Sequence, residues 1–136
     1  MPYLSTYNLF ISHAWDYHED YKRLIKLLDE ASNFKYSNYS VPKDDKFKKM
    51  SEDQLKEELR QQVRPVSCIL ALGGVYMSYS EWIQFELDFG VSIKKPIIGI
   101  KPRGNINVSK AVSDVAKEVV GWNTDSIVDA IRTHSI

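Results

Sequence analysis

With Cys68 as the only cysteine in 136 residues, no disulfide can form within the chain. It lies in the apolar run Val66-Ser67-Cys68-Ile69-Leu70-Ala71-Leu72, where a small buried thiol is the expected role, and no motif for nucleophilic work surrounds it. Charge of one sign is also missing. Eighteen basic residues balance eighteen acidic ones, so the chain lacks the positive field that usually accompanies nucleic-acid or anionic-membrane binding, and neither partner is expected. No apolar run approaches the ~20 residues of a membrane span, and Met1-Pro2-Tyr3-Leu4-Ser5-Thr6-Tyr7 has no basic region followed by an apolar stretch. The expected location is the cytoplasm. There is no Gly-x-Gly-x-x-Gly or P-loop run, and His13, His18 and His134 offer no metal-ligand spacing. Neither a metal nor a resident cofactor is expected.

What is present is ordinary globular composition, 43% hydrophobic and 26% charged. At this length we expect a single domain over residues 1–136. Short apolar runs alternate with amphipathic stretches, the pattern of a parallel sheet covered by helices on both faces. The first strand reads Tyr7 to Ser12, and Asp16 with Glu19 forms a capping-box pattern before a helix over Tyr17 to Ala31, striped by Tyr21, Leu24, Ile25 and Leu28. A weak second strand reads Tyr36 to Val41, followed by a charged loop from Pro42 to Lys49. Ser51 with Gln54 caps the next helix, which turns Leu55, Leu59 and Val63 inward and stops at Pro65. Val66 to Leu72 is the central strand, apolar on both faces, and Gly73-Gly74 ends it. A helix from Ser80 to Lys94, a strand from Pro96 to Ile100, a short helix near Val108 to Val115, a strand around Glu118 to Trp122 and a helix from Thr124 to Arg132 follow. This alternation predicts an α/β, flavodoxin-like three-layer sandwich with a five-stranded parallel sheet in the order 2-1-3-4-5. Ligands of that fold sit at the carboxyl ends of strands one and three.

Glu86 stands out. At ~100° per residue, Phe85, Phe89, Trp82, Ile93, Ile83, Leu87 and Val91 form one broad apolar arc, opposite Glu81, Gln84, Asp88 and Ser92. Glu86 projects ~40° from Trp82, on the apolar side and beside Gly90, whose missing side chain is expected to leave room for a ligand. A carboxylate there must be paired, neutralised or given a pocket. Pairing with a neighbouring Lys or Arg, or a place at the margin of the arc, are the alternatives to a functional role.

Asn8-Leu9-Phe10-Ile11-Ser12-His13-Ala14-Trp15, Trp82-Ile83-Gln84-Phe85-Glu86, Lys95-Pro96-Ile97-Ile98-Gly99-Ile100 and Gly121-Trp122-Asn123 together resemble TIR domains. The likeness is greatest to the TIR-like group that includes the TIR subunit of the Thoeris anti-phage system. The first segment resembles the family's Phe-Ile-Ser-His strand ending, and the second its Trp-x-x-x-Glu helix. The resemblance implies that Glu86 is the catalytic residue of an enzyme that cleaves the nicotinamide-ribose bond of NAD as substrate. The product would be ADP-ribose or a cyclic isomer, acting as a signal to an effector protein in anti-phage defence. It equally admits a non-catalytic TIR-like module that assembles with copies of itself or a partner.

On the catalytic reading one carboxylate suffices, because the leaving nicotinamide is already cationic and departs neutral, whereas ordinary glycoside hydrolysis needs a second carboxyl. Ser12 and His13 are then candidates to bind phosphate or ribose, Trp15 and Tyr76 to stack on a flat ring, and Trp82 to line an apolar wall, with Phe85 and Phe89 as further wall candidates. Core packing is the expected role for at least two of Trp82, Phe85 and Phe89. Asp45, with Lys43 and Lys46, is a candidate substrate contact in a loop that reads equally as a solvated charge run. One cysteine and scattered histidines cannot build a disulfide or a metal site within one chain, so purified protein is expected to carry neither a disulfide nor a stoichiometric metal. Intact mass and metal analysis check this, and stoichiometric zinc would contradict it.

Overall fold

Strands and helices alternate through the residues that the computed structural model describes: 6–12, 18–39, 51–72, 81–101 and 110–136, with side chains at 18–20, 52, 55, 81–83 and 111 outside that description. In chain order they are β1 (Thr6–Ser12), α1 (His18–Asp29), β2 (Lys35–Asn38), α2 (Glu52–Val63), β3 (Cys68–Leu72), α3 (Glu81–Ser92), β4 (Ile97–Ile100), α4 (Lys110–Ser113), β5 (Glu118–Val120) and α5 (Thr124–His134). The five strands form one sheet in the order β2-β1-β3-β4-β5, and every neighbouring pair is parallel. Parallel neighbours need crossover connections, and these place helices over both faces of the sheet. Every residue of β3 and β4 is therefore buried.

Alternation along each strand divides the core in two. Leu9 and Ile11 of β1, Leu70 and Leu72 of β3, and Ile98 and Ile100 of β4 join Leu24 and Leu28 of α1 and Ile127 and Ile131 of α5 on one face. Phe10, Ile69, Ala71 and Ile97 join Leu59 and Val63 of α2, Leu87 of α3 and Val112 of α4 on the other. This is the three-layer flavodoxin-like arrangement expected from the sequence. Cys68 lies fully buried in β3, and burial pushes its thiol up to about 12. Among the described residues, no helix is long and apolar enough to cross a membrane.

Local chemistry sets the element ends. Ser51 and Gln54 form the capping box: the Gln54 N–H donates to Ser51 Oγ at 3.2 Å and the Ser51 N–H to Gln54 Oε1 at 3.1 Å. Helix α2 then stops before Pro65. At the end of α3, Lys94 takes a left-handed conformation, φ 61°, while the Lys95 N–H donates to the Gly90 carbonyl and the Lys94 N–H to that of Val91. This is a Schellman turn built without glycine. Asn123 caps α5, accepting from the Ser126 N–H at 2.8 Å, and the helix runs two residues past the expected Arg132. Strands β2 and β5 are shorter than expected, ending at Asn38 and Val120. The Asp16 cap, the loop from Pro42 to Lys49 and the Gly73-Gly74 strand end lie outside the described residues, as does the Leu55 side chain.

The face of α3 needs two corrections. Val91 is 48% exposed, so the apolar arc drawn from periodicity is too wide on that side. Leu87, Gly90 and Glu86 are buried. Gly90 leaves no room for a ligand either: a Cβ there would collide with Ile69 Cδ1 of β3, with Ile97 Cδ1 at 3.9 Å. The glycine lets the helix approach the sheet closely. Gly90→Ala therefore sets a helix-propensity gain of about 1 kcal/mol against an overpacking cost of about 1–3 kcal/mol. Because Ile69 is fully enclosed, overpacking is expected to win, lowering the melting temperature by a few degrees. A stabilised Ala variant would show that the space is there.

Candidate active site

The close approach of α3 positions the one buried carboxyl among the described residues. One helical turn rises ~5.4 Å and two strand residues span ~6.6 Å, so adjacent turns of a helix can rest on alternate residues of the strands beneath it. Gly90 sits over Ile69, and one turn earlier Glu86 reaches Ser12, the last residue of β1. Ser12 pairs in register with Ala71, and Ala71 with Gly99. These small residues succeed the bulky row Phe10, Ile69 and Ile97 on the same face of the sheet. The change from large to small side chains admits a Glu where the preceding row admits only a Gly.

The Ser12 hydroxyl donates to Glu86 Oε1 at 3.0 Å. Ser12 is 0% exposed and Glu86 7%. Among the described residues no Lys, Arg or His is seen paired with Glu86, whereas Glu57, Asp114 and Glu118 each have such a partner. Among the described residues Glu86 shows neither a cationic neighbour nor a place at an exposed margin of the arc. Burial pushes the Glu86 carboxyl up to about 8, against the smaller opposite pull of the Ser12 hydrogen bond. The shift favours the neutral acid over the anion in the folded protein. The pair lies at the carboxyl ends of β1 and β3, where the chain departs in opposite directions along the sheet and where ligands of doubly wound folds bind.

The other expected site residues fall into two groups. His13, Trp15, Asp45 and Tyr76 lie outside the described residues, as do Lys43 and Lys46, and Trp82 is described only as a residue of α3. Phe85 and Phe89 are described. Their rings stack at 6.4 Å, with Arg60 over Phe85 at 5.3 Å and Arg64 over Phe89 at 5.8 Å, so both fill the seam between α2 and α3. This makes them packing residues, the role expected of at least two of the three aromatic candidates. Ser12 was expected to touch phosphate or ribose, yet its enclosed hydroxyl is directed at Glu86. Residue type alone did not reveal that partner.

Residues 10–107 match the family model of the Thoeris protein ThsB, TIR-like domain. The chain belongs to this TIR-like family. TIR2 of Cytobacillus dafuensis, which carries a provisional assignment as a cyclic ADP-D-ribose synthase, is 25% identical over 122 residues. That match covers 87% of this TIR-like chain and 32% of the relative, so the chain spans about a third of the relative's length. Among solved structures, the CMP N-glycosidase BcmB of Clostridium botulinum superposes with a TM-score of 0.56 at 17% identity, covering 93% of this chain and 98% of its own. A prokaryotic SEFIR domain superposes with a TM-score of 0.54 at 14% identity, covering 94% and 98%. Both structural likenesses establish the fold alone.

The raised Glu86 value makes stability depend on pH. Below the ordinary carboxyl value near 4.5 the side chain is neutral whether the chain is folded or not, and stability is at its full level. As pH rises toward about 8 the unfolded chain ionises first, so stability is lost across that window by up to a few kcal/mol. Glu86→Gln removes this loss. The melting temperature of the Gln variant minus that of the wild type is expected to grow from pH 5 to pH 8.5, as measured by calorimetry in matched buffers. A pH-independent difference would mean that Glu86 ionises freely in the folded protein.

Proposed function

We propose that this TIR-like chain is an enzyme that breaks the bond between nicotinamide and ribose in NAD, with Glu86 as the catalytic carboxylate. The observation that carries the reading is the enclosed Glu86 carboxyl, bonded to Ser12 and without a cationic partner among the described residues, at the carboxyl end of β1. Membership of the TIR-like family and the likeness to a relative assigned as a cyclic ADP-D-ribose synthase support the choice of NAD.

Cleavage breaks the bond between C1′ and the pyridinium nitrogen, and its electron pair leaves on nicotinamide, which departs neutral. The positive charge moves to the ribosyl carbon. A neutral acid at rest suits this chemistry, because a bound pyridinium cation favours ionisation of the neighbouring carboxyl, and the anion then stabilises the developing ribosyl cation. The small dielectric response of an enclosed site strengthens that attraction. Water capturing C1′ and losing a proton gives ADP-ribose, whereas capture by another atom of the same nucleotide gives a cyclic isomer. Water exclusion at the site would decide between them. A nucleotide product of either kind suits a signal to an effector protein in anti-phage defence, from a cytoplasmic enzyme with or without TIR–TIR self-association.

Nicotinamide release from NAD, followed under activating conditions with thermal unfolding on the same preparation, tests the reading. Glu86→Gln keeps the shape and removes the charge, so turnover should fall on the order of a hundredfold, equivalent to ~3 kcal/mol at the transition state. The melting temperature should hold or rise. In the wild type, kcat/KM should climb between pH 6 and 8 as the free enzyme's carboxyl ionises. A Gln variant that is active and equally stable would sink the catalytic assignment, and an unstable, inactive one would return Glu86 to a structural role.

A further inference from the structure

We infer that Ser12 is a positioning residue, whose hydroxyl holds the Glu86 carboxyl in place at the end of β1, and that it does not contact substrate. The inference rests on the proposed role of Glu86 but stands on separate geometry. Ser12 is 0% exposed and Glu86 7%, so in this conformation the hydroxyl is closed to an entering ligand. The hydroxyl donates to Oε1 at 3.0 Å. A hydroxyl carries a single proton, so Ser12 cannot donate to a phosphate or ribose oxygen while it holds Glu86.

Strand parity fixes the contact. Ser12 and Phe10 lie two residues apart and share the face that α3 covers, while Leu9 and Ile11 face α1 and α5. On this face the described residues of β1, β3 and β4 present Phe10, Ser12, Ile69, Ala71 and Ile97, and α2 presents Leu59 and Val63, none of them charged. The charged groups that α2 brings against α3, Lys56, Arg60 and Arg64, lie over the rings of Phe85 and Phe89. Among the described residues the Ser12 hydroxyl is thus the polar group that holds the carboxyl, and it favours the ionised form, since a donor to a carboxylate lowers the cost of the anion.

Two measurements separate this inference from the proposed NAD chemistry. The first needs no activity: a carbon-13 titration of the Glu86 side-chain carboxyl, assigned by its absence in Glu86→Gln. Ser12→Ala should raise the midpoint by about one pH unit, and Ser12→Thr, which keeps the hydroxyl, should restore it. The second is steady-state nicotinamide release from NAD. Ser12→Ala should lower kcat on the order of tenfold with KM within about twofold, Thr should recover most of the loss, and Ser12→Ala should add nothing in the Glu86→Gln background.

An unmoved midpoint in a folded Ala variant overturns the inference. So does a raised KM with kcat retained, which would make Ser12 a substrate contact, or an equal loss of kcat in the Gln background. If Ser12→Ala does not fold, Ser12→Cys, nearly isosteric and a weak donor, gives the same comparison. If the wild type releases no nicotinamide while the Ala midpoint still rises, the NAD reading fails and the positioning role stands.

Discussion

A carboxyl group enclosed between a helix and the end of a parallel strand is the constraint around which this half of the molecule is arranged. Helix α3 must come close enough for Glu86 to reach Ser12, and Gly90 makes that approach by presenting no Cβ to Ile69. The strands must then offer bulk beneath Gly90 and little bulk beneath Glu86. Ile69 and Ile97 give way to Ala71 and Gly99 in the next row of that face. Moving the helix away would relieve Gly90 but would pull the carboxyl off its one described donor. The packing of an apolar seam and the placement of a polar group are therefore set by the same distance.

The energetics of the pair are unbalanced in a way that points to chemistry. An enclosed carboxylate loses several kcal/mol of hydration, and one hydrogen bond to a hydroxyl returns only part of it. Burial therefore shifts the carboxyl toward its protonated form, which relieves the penalty. A core selected for stability alone would place a Leu or Met at this position and leave Ser12 as another Val or Ala. The arrangement becomes favourable when a cation is brought to the carboxyl, because the attraction then acts across a medium that screens it weakly. On the proposed reading, the same burial that penalises the anion would strengthen its effect on a cationic ring brought beside it.

Legibility in the sequence followed the strength of the underlying physics. The sheet order and three layers were readable because β3 is apolar at every position, a pattern that only a sheet covered on both faces requires. Ser51 and Gln54 announced α2 through reciprocal hydrogen bonds that need no tertiary partner. The buried position of Glu86 was readable from helical period alone. Gly90 was misread, because a missing side chain marks close packing and open space equally well, and only the partner strand decides. Val91 was misplaced because an arc of apolar residues does not reveal which part of it faces a curved sheet. The Ser12–Glu86 pairing joins residues 74 apart in sequence, and its signal was the parity of β1: once α3 is assigned to the face that holds Phe10, Ser12 must share it.

Fold and family leave two uses of such a domain open, assembly and catalysis, and the two place different demands on the residues. Assembly acts through exposed surface, where charge and shape can be matched to a partner without burdening the core. The aromatic pair Phe85 and Phe89, covered by Arg60 and Arg64, binds α2 to α3 and leaves Glu86 untouched. No assembly contact calls for an ionisable group beneath that seam. A carboxyl at the carboxyl end of β1, held by one hydroxyl and facing uncharged side chains from the described strands, fits the proposed catalytic reading, in which a ligand carrying positive charge enters from the strand ends. On the proposed reading that ligand is NAD, whose pyridinium ring has that charge and surrenders it when the glycosidic bond breaks: the anion would be favoured while the ring is bound, and its stabilisation would pass to the ribosyl carbon as nicotinamide leaves.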